Sequence, residues 1–200
     1  MDLELRKAVE TLKKGGLVAW PTDTTWGLLA ATDRPEAIER IYELKGRPRG
    51  KPLQLLVASV PAAEEMIDIH QAGPAWKLLT GRFWPGGLTL VAPASASAPA
   101  ALVYAGKVGL RLPADDELRT VIEELGGSLA ATSLNRSGER PVAGYEEALA
   151  FAEEVDLVFP GRSGGTASSV YELPEGRLLR AGAIPASEIN AALEAAWTRG

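Results

Sequence analysis

Cysteine is absent and histidine occurs once, as His70. Without thiols there is no disulfide framework and no thiolate metal site, and a lone imidazole does not make the usual ligand cluster. A tightly bound protein metal is therefore not expected. An excess of positive charge is also missing. The formal net charge is −5, which argues against a surface that embraces nucleic acid over its whole extent, since that affinity scales with the phosphates neutralised by Lys and Arg. No apolar run is long enough to span a bilayer, and residues 1–14 are charged and amphipathic where a signal peptide would be apolar. The cytoplasm is the expected compartment, with no membrane contact.

What is present is material for a core. Hydrophobic residues make up 46% of the chain and charged residues 24%, enough for one large domain or two small ones. Gly and Pro interrupt the Leu, Val, Ile and Ala segments roughly every ten to fifteen residues, a spacing that suits alternating strands and helices. An α/β architecture is expected. Strands are predicted over 17–20, 53–57, 88–92, 108–112, 129–133, 156–159, 168–173 and 177–180. Leu5, Val9 and Leu12 recur at helical spacing before a stop at Gly15 and Gly16, and a second helix runs from Pro35 to near Gly46. Further helices are predicted over 62–69, 75–80, 115–125, 145–155 and 187–197. The Ala, Ser and Pro stretch 94–101 has little to bury and is expected to form a mobile loop.

Neither a P-loop pattern nor a dinucleotide fingerprint follows any strand. A bound nucleotide would therefore need side chains to hold its phosphates. Lys45, Arg47, Arg49 and Lys51 place four positive charges within seven residues, with no acid among them, between a helix and a strand. Two readings stand side by side: solvated loop charges, or an anion clamp stiffened by Pro48 and Pro52. Thr22, Asp23, Thr24 and Thr25 form a polar turn after a strand, and Ser133, Asn135 and Ser137 form another. Each turn serves either a ligand or only its local backbone.

Arg111 lies between Leu110 and Leu112, so alternation sends its side chain to the face opposite theirs. Arg180 stands at a strand's end before Gly182. Both belong either to the surface or to a site. Trp20, Trp26, Trp76, Trp84 and Trp197 read as packing residues, with Trp26 the one exception open to a ligand role. Nothing resembles a carboxylate pair or a triad, so hydrolysis through a nucleophile has little support. Chemistry by positioning and charge remains.

The string Pro21-Thr22-Asp23-Thr24-Thr25-Trp26-Gly27-Leu28, followed by Lys45-Gly46-Arg47-Pro48-Arg49-Gly50-Lys51-Pro52-Leu53, resembles the two N-terminal signatures of the YrdC/Sua5 family. The likeness continues through Phe83-Trp84-Pro85-Gly86-Gly87-Leu88-Thr89, Val108-Gly109-Leu110-Arg111-Leu112-Pro113, Ser133-Leu134-Asn135-Arg136-Ser137-Gly138 and Leu178-Leu179-Arg180-Ala181-Gly182, in the family's order. The resemblance implies a single YrdC-like α/β (α+β) domain over 1–200, a twisted mixed sheet flanked by helices around a large concave cavity. It corresponds to the family's short form, without a second domain. Four positions depart from the usual pattern: Trp26 for Tyr, Leu134 for Ala, Lys107 for Thr, and an extra residue between Gly138 and Pro141.

The activity implied by the resemblance is synthesis of threonylcarbamoyl-adenylate and pyrophosphate from L-threonine, bicarbonate and ATP, with Mg2+ carried by the ATP. Other proteins, a threonylcarbamoyl transferase complex, would then modify adenosine 37 of tRNA. Carried over by motif, Arg47 and Lys51 hold ATP phosphates, Lys45 adds charge nearby, Thr24 seats threonine and Arg111 suits its carboxylate. Ser133 and Asn135 bind nucleotide or substrate, Ser137 supports their turn, and Arg180 closes the nucleotide end. Two other readings compete: a module that binds double-stranded RNA or tRNA without catalysis, and carbamoyl transfer in hydrogenase maturation, which normally adds Cys-rich zinc segments.

Overall fold

A computed structural model describes residues 1–197, with side chains described to residue 195. Trp197, read from the sequence as a packing residue, has its side chain outside that description. Helix α1 (Leu3–Lys13) is capped by Asp2, whose carboxylate accepts from the Leu5 N–H, and it leads into a hairpin of β1 (Val18–Pro21) and β2 (Trp26–Ala31). Helix α2 (Pro35–Lys45) opens on proline and stops at Gly46, which adopts the left-handed conformation that favours glycine. There follow β3 (Gln54–Val57), α3 (Val60–Glu65), α4 (Ile69–Ala72), α5 (Ala75–Phe83), β4 (Leu88–Pro93) and β5 (Lys107–Arg111). The chain ends with α6 (Asp116–Glu124), β6 (Ser128–Ser133), α7 (Tyr145–Leu149), β7 (Leu157–Val158), β8 (Ser169–Glu172), β9 (Arg177–Arg180) and α8 (Ala186–Trp197).

The described residues form one mixed sheet of nine strands, ordered β7-β1-β2-β6-β3-β5-β4-β8-β9. The pairs β1–β7, β3–β5 and β4–β8 are parallel and the remaining pairs antiparallel. This is the expected α/β class, a helix-flanked mixed sheet. Strand alternation divides the interior into two cores. On one face Trp26, Leu28, Leu55, Leu90, Leu110 and Tyr171 meet Ile38, Ile41 and Trp76 of the flanking helices. On the other, Val18, Trp20, Leu29, Leu56 and Leu129 are covered by Leu5, Val9 and Leu12 of α1 and by Leu118, Val121 and Ile122 of α6. Asp115 ties that cover to the sheet: one carboxylate oxygen caps α6 at the Leu118 N–H, and the other accepts from the Trp20 indole at 2.8 Å.

Three local expectations are corrected. Residues 26–31 form a strand that the sequence reading does not contain; it is buried throughout and pairs with β1 and β6. The helix predicted over 62–69 is two short helices, broken where Ile67 bridges to Ala94 and Asp68 starts α4 by accepting from the His70 and Gln71 N–H groups. The 94–101 stretch is anchored at Ser95 and Ala98, while Ala96, Ser97, Ala100 and Ala101 are exposed. Ala98 and Leu102 are buried, and the Ser95 hydroxyl donates to the Glu65 carbonyl at 2.6 Å.

Candidate functional site

The helices α1 and α6 cover the second face only over β1, β2, β6 and β3. Beyond them, toward β5, β4, β8 and β9, that face carries a cavity of about 520 Å³. Because strand side chains alternate, its floor is every second residue of adjacent strands: Gln54 and Leu56, Lys107 and Arg111 with Gly109 between, Thr89 and Val91, Val170 and Glu172. The turns at the strand ends supply the walls. Of the expected site residues, Thr24, Arg47, Arg111, Ser133 and Arg180 all line this one cavity.

Arg111 is 2% exposed and anchors the Thr turn. Its Nε donates to the Gly86 carbonyl at 2.9 Å, one terminal nitrogen donates to the Thr24 hydroxyl at 2.7 Å, and the other pairs with the Asp23 carboxylate. Burial lowers its proton affinity and Asp23 opposes that loss. The hydroxyl directions follow. Thr22 gives its single proton to the Thr25 carbonyl, so at the 3.0 Å contact between the two hydroxyls Thr24 is the donor. Thr24 thus keeps an acceptor site for a ligand.

A second hydrogen-bonded row crosses the floor. Thr89 donates to the Gln54 side-chain carbonyl at 2.9 Å, which leaves Ser168 as donor to Thr89 at 2.8 Å, and Arg180 donates to Ser168 at 3.0 Å. Gln54 on β3 reaches Thr89 on β4 over the intervening β5 because Gly109 has no side chain there. Arg180 also donates to the Ser168 carbonyl at 3.0 Å. Burial lowers its proton affinity, and the charges of Arg111 and Arg47 lower it further. These three arginines therefore share one electrostatic environment. Among the described residues neither Arg47 nor Arg180 has a carboxylate partner, so the cavity holds positive charge that the protein does not neutralise.

The basic segment disperses. Arg47 faces the cavity while its guanidinium donates to the Lys51 and Pro52 carbonyls at 2.8 and 2.9 Å, folding the connection back on itself. Arg49 leaves, pairing with Glu39 and lying 4.6 Å over the Tyr42 ring. Lys51 is exposed and outside the cavity wall. Lys45 is 2% exposed and points under the wall: its ammonium donates to the Ser133 carbonyl at 2.6 Å and to the Asn135 carbonyl and side-chain oxygen at 2.8 Å each. Burial, then the Arg47 charge, lowers it to about 8.

Asn135 is buried in the same brace, accepting from the Ser133 hydroxyl at 2.6 Å and donating to the Arg136 and Glu139 carbonyls at 2.8 Å each. Ser137 is exposed, and its backbone N–H donates to the Lys45 carbonyl. Lys45 and Asn135 thus shape the Ser133 wall from behind. Trp26 is buried in the opposite core, its indole N–H without a partner among the described residues, and is not part of the cavity wall.

Sequence reasoning missed Gln54, Thr89, Ser168 and Glu172 as site residues; Asp23 stood only as a member of the polar turn and Lys107 only as a departure from the family pattern. Thr89 carried a usable signal, a polar residue between Leu88 and Leu90 on one alternation. Lys45 carried another: with Ile38, Ile41 and Tyr42 it falls on the buried stripe of α2.

The Sua5_yciO_yrdC family model, described as telomere recombination, matches residues 10–182. The chain belongs to the Sua5/YciO/YrdC family. Among its Sua5/YrdC relatives, the threonylcarbamoyl-AMP synthase of Pyrococcus abyssi is 34% identical over 196 residues, 94% of this chain and 57% of that protein. The synthase of Halorhodospira halophila is 34% identical over 165 residues, 80% of this chain and 84% of its own length. The crystal structure of P. abyssi Sua5 complexed with L-threonine superposes with a TM-score of 0.84 at 34% identity, covering 94% of this chain and 57% of that one. This chain thus spans little more than half of the archaeal relative.

Proposed function

We propose that the protein condenses L-threonine, bicarbonate and ATP into threonylcarbamoyl-adenylate and pyrophosphate. The single observation that carries this reading is the convergence of Arg47, Arg111 and Arg180, from three distant segments, on one cavity where, among the described residues, Asp23 is their one ion-pair partner. The names of the relatives and the threonine complex of P. abyssi Sua5 support it. In the reaction, threonine amine and bicarbonate combine with loss of water to give an N-carboxylate. One oxygen of that carboxylate attacks the α-phosphorus of ATP, and the bond to the β-phosphate oxygen breaks to release pyrophosphate. Two anions must meet, and unneutralised guanidinium groups lower their repulsion where water is excluded.

In this reading Thr24 accepts a hydrogen bond from threonine's ammonium or hydroxyl, and Arg111 holds the turn and faces the carboxylate. Ser133, its proton committed to Asn135, offers an acceptor opposite. Arg47 and Arg180 take the phosphates, with Lys51 adding charge at the entrance; Lys45, Asn135 and Ser137 hold the wall. Mg2+ arrives with ATP; among the described residues no group of three His, Cys, Asp or Glu is placed to hold a metal ion. The product would pass to a transferase acting on tRNA in the cytoplasm. Among the described residues no helix is long and apolar enough to cross a membrane.

The test is pyrophosphate release from MgATP and bicarbonate with and without L-threonine, with the adenylate identified by mass. Release that depends on threonine is expected. Binding of double-stranded RNA with no such release would favour the non-catalytic module, which the names of the relatives and the net charge of −5 disfavour.

A further inference from the structure

The two ends of the cavity differ in charge. Lys107, Gly109 and Arg111 lie on one face of β5, and the outer two are about 13 Å apart at the usual strand rise. At the Arg111 end arginine outnumbers carboxylate. At the other end every cation is matched: Lys107 Nζ lies 3.0 Å from Glu172 and 2.6 Å from Glu175, and Glu172 also pairs with Arg177 at 2.5 Å. Among the described residues no cation is left there to hold a phosphate. Val91 and the bare Gly109 pair across the floor beside this end, Val170 lies one alternation further on, level with Thr89 and Arg180, and Leu179, 51% exposed, stands at the edge.

Tyr104 forms the wall above that floor and is likewise 51% exposed. Its position is set by the backbone. Tyr104 and Lys107 exchange both hydrogen bonds, at 2.9 and 3.0 Å, around a two-residue turn in which Ala105 (φ 49°) and Gly106 (φ 73°) are both left-handed. Ala105 is the one non-glycine residue with positive φ among the described residues. An L residue is disfavoured in that conformation, and such outliers concentrate where a site needs a side chain held in place. The Tyr104 hydroxyl lies 3.8 Å from where a Cβ on Gly50 would stand, so the ring reaches from the β5 hairpin toward the basic connection.

An apolar floor, an aromatic wall and charges cancelled in pairs suit a flat, uncharged ring system. We propose that Tyr104 is a nucleobase-contacting residue, its ring packing on the adenine of ATP over Val91 and Gly109 while the phosphates extend toward Arg180 and Arg47. This assignment rests on the nucleotide reading given above and adds the residue that positions the base.

The experiment is calorimetric binding of ATP and of inorganic tripolyphosphate to the parent, Tyr104→Ala and Tyr104→Phe, with threonine-dependent pyrophosphate release measured alongside. Tyr104→Ala is expected to weaken ATP roughly tenfold, the scale of one lost base–aromatic contact. Tripolyphosphate should change by less than about twofold and Tyr104→Phe should match the parent for both ligands. ATP affinity unchanged in Tyr104→Ala, or lost equally for ATP and tripolyphosphate, would overturn the base contact. A parent that releases pyrophosphate while Tyr104→Ala binds ATP normally sinks this contact alone. A parent that binds ATP through Tyr104 but releases nothing sinks the synthase reading alone, and a parent that binds no ATP sinks both.

Discussion

Over β1, β2, β6 and β3 one sheet face is sealed by α1 and α6, whereas over β5, β4, β8 and β9 the same face is open and carries Lys107, Arg111, Thr89, Ser168 and Glu172. The strands are continuous with one another and the backbone physics is the same. What differs is the residue placed at each inward alternation: Val18, Trp20 and Leu129 where a helix must dock, Thr, Arg and Glu where it must not. Stability and the proposed chemistry thus occupy neighbouring parts of one surface, so substitutions should separate them. Ile122→Ala, fully buried in the sealed part, should cost about 2–5 kcal/mol of stability through the cavity it leaves, with the folded fraction as active as the parent. Denaturant unfolding with activity normalised to folded protein checks this.

In the open part the sign of the separation reverses. Arg47→Ala and Arg180→Ala should each lower threonine-dependent pyrophosphate release by about a hundredfold or more, the scale for removing a preorganised charge from a reacting anion. Stability should fall by no more than about 1 kcal/mol, since neither residue packs in a core. Equal losses of stability and activity in these variants would erase the contrast.

A subtler break uses Gly109. A Cβ there would meet Val91, Thr89 and Gln54 at 3.6–3.9 Å, ordinary contact, so Gly109→Ala should behave as the parent. The two methyls of Gly109→Val would stand between Gln54 and Thr89. With that row cut, Ser168 and Arg180 lose their fixed orientation, and release should drop between about ten- and a hundredfold. Parent-like kinetics in Gly109→Val would show that the row does not hold Arg180.

Much of this division was legible in the sequence. Arg111 between Leu110 and Leu112 was enough to set its face, and the Thr turn follows a strand as expected. The strand at 26–31 was not legible from β-branched residues, because it contains none; its burial comes from pairing on both sides, a tertiary effect. The 94–101 stretch reads as mobile by composition, yet Ala98 and Leu102 find a pocket that only the assembled sheet and helices provide. The dispersal of Lys45, Arg47, Arg49 and Lys51 depends on where α2 ends. Lys45 is on the helix's inward stripe, whereas the others follow Gly46, whose left-handed turn redirects the chain. Adjacent charges in sequence therefore do different work.

The smallest expected effect concerns the brace at the boundary of the two parts. Lys45 needs all three protons for its three acceptors, so product formation should fall a few-fold as pH rises through about 8 and the ammonium is lost. Stability should move the other way. The folded value lies below the ordinary 10.5, so between the two the unfolded chain binds the extra proton and the free energy of unfolding rises with pH. In Lys45→Met both pH-dependent components should vanish, which pH–activity profiles and unfolding curves would reveal.

In the proposed reaction, arginines from separate segments hold a nucleotide's phosphates inside this one cavity. A crystal structure with a non-hydrolysable ATP analogue and L-threonine tests it most directly. The phosphates are expected between Arg47 and Arg180, with threonine against Thr24 and Arg111. Phosphates bound instead on the outer surface around Lys51 and Arg49, with the cavity empty of nucleotide, would contradict it.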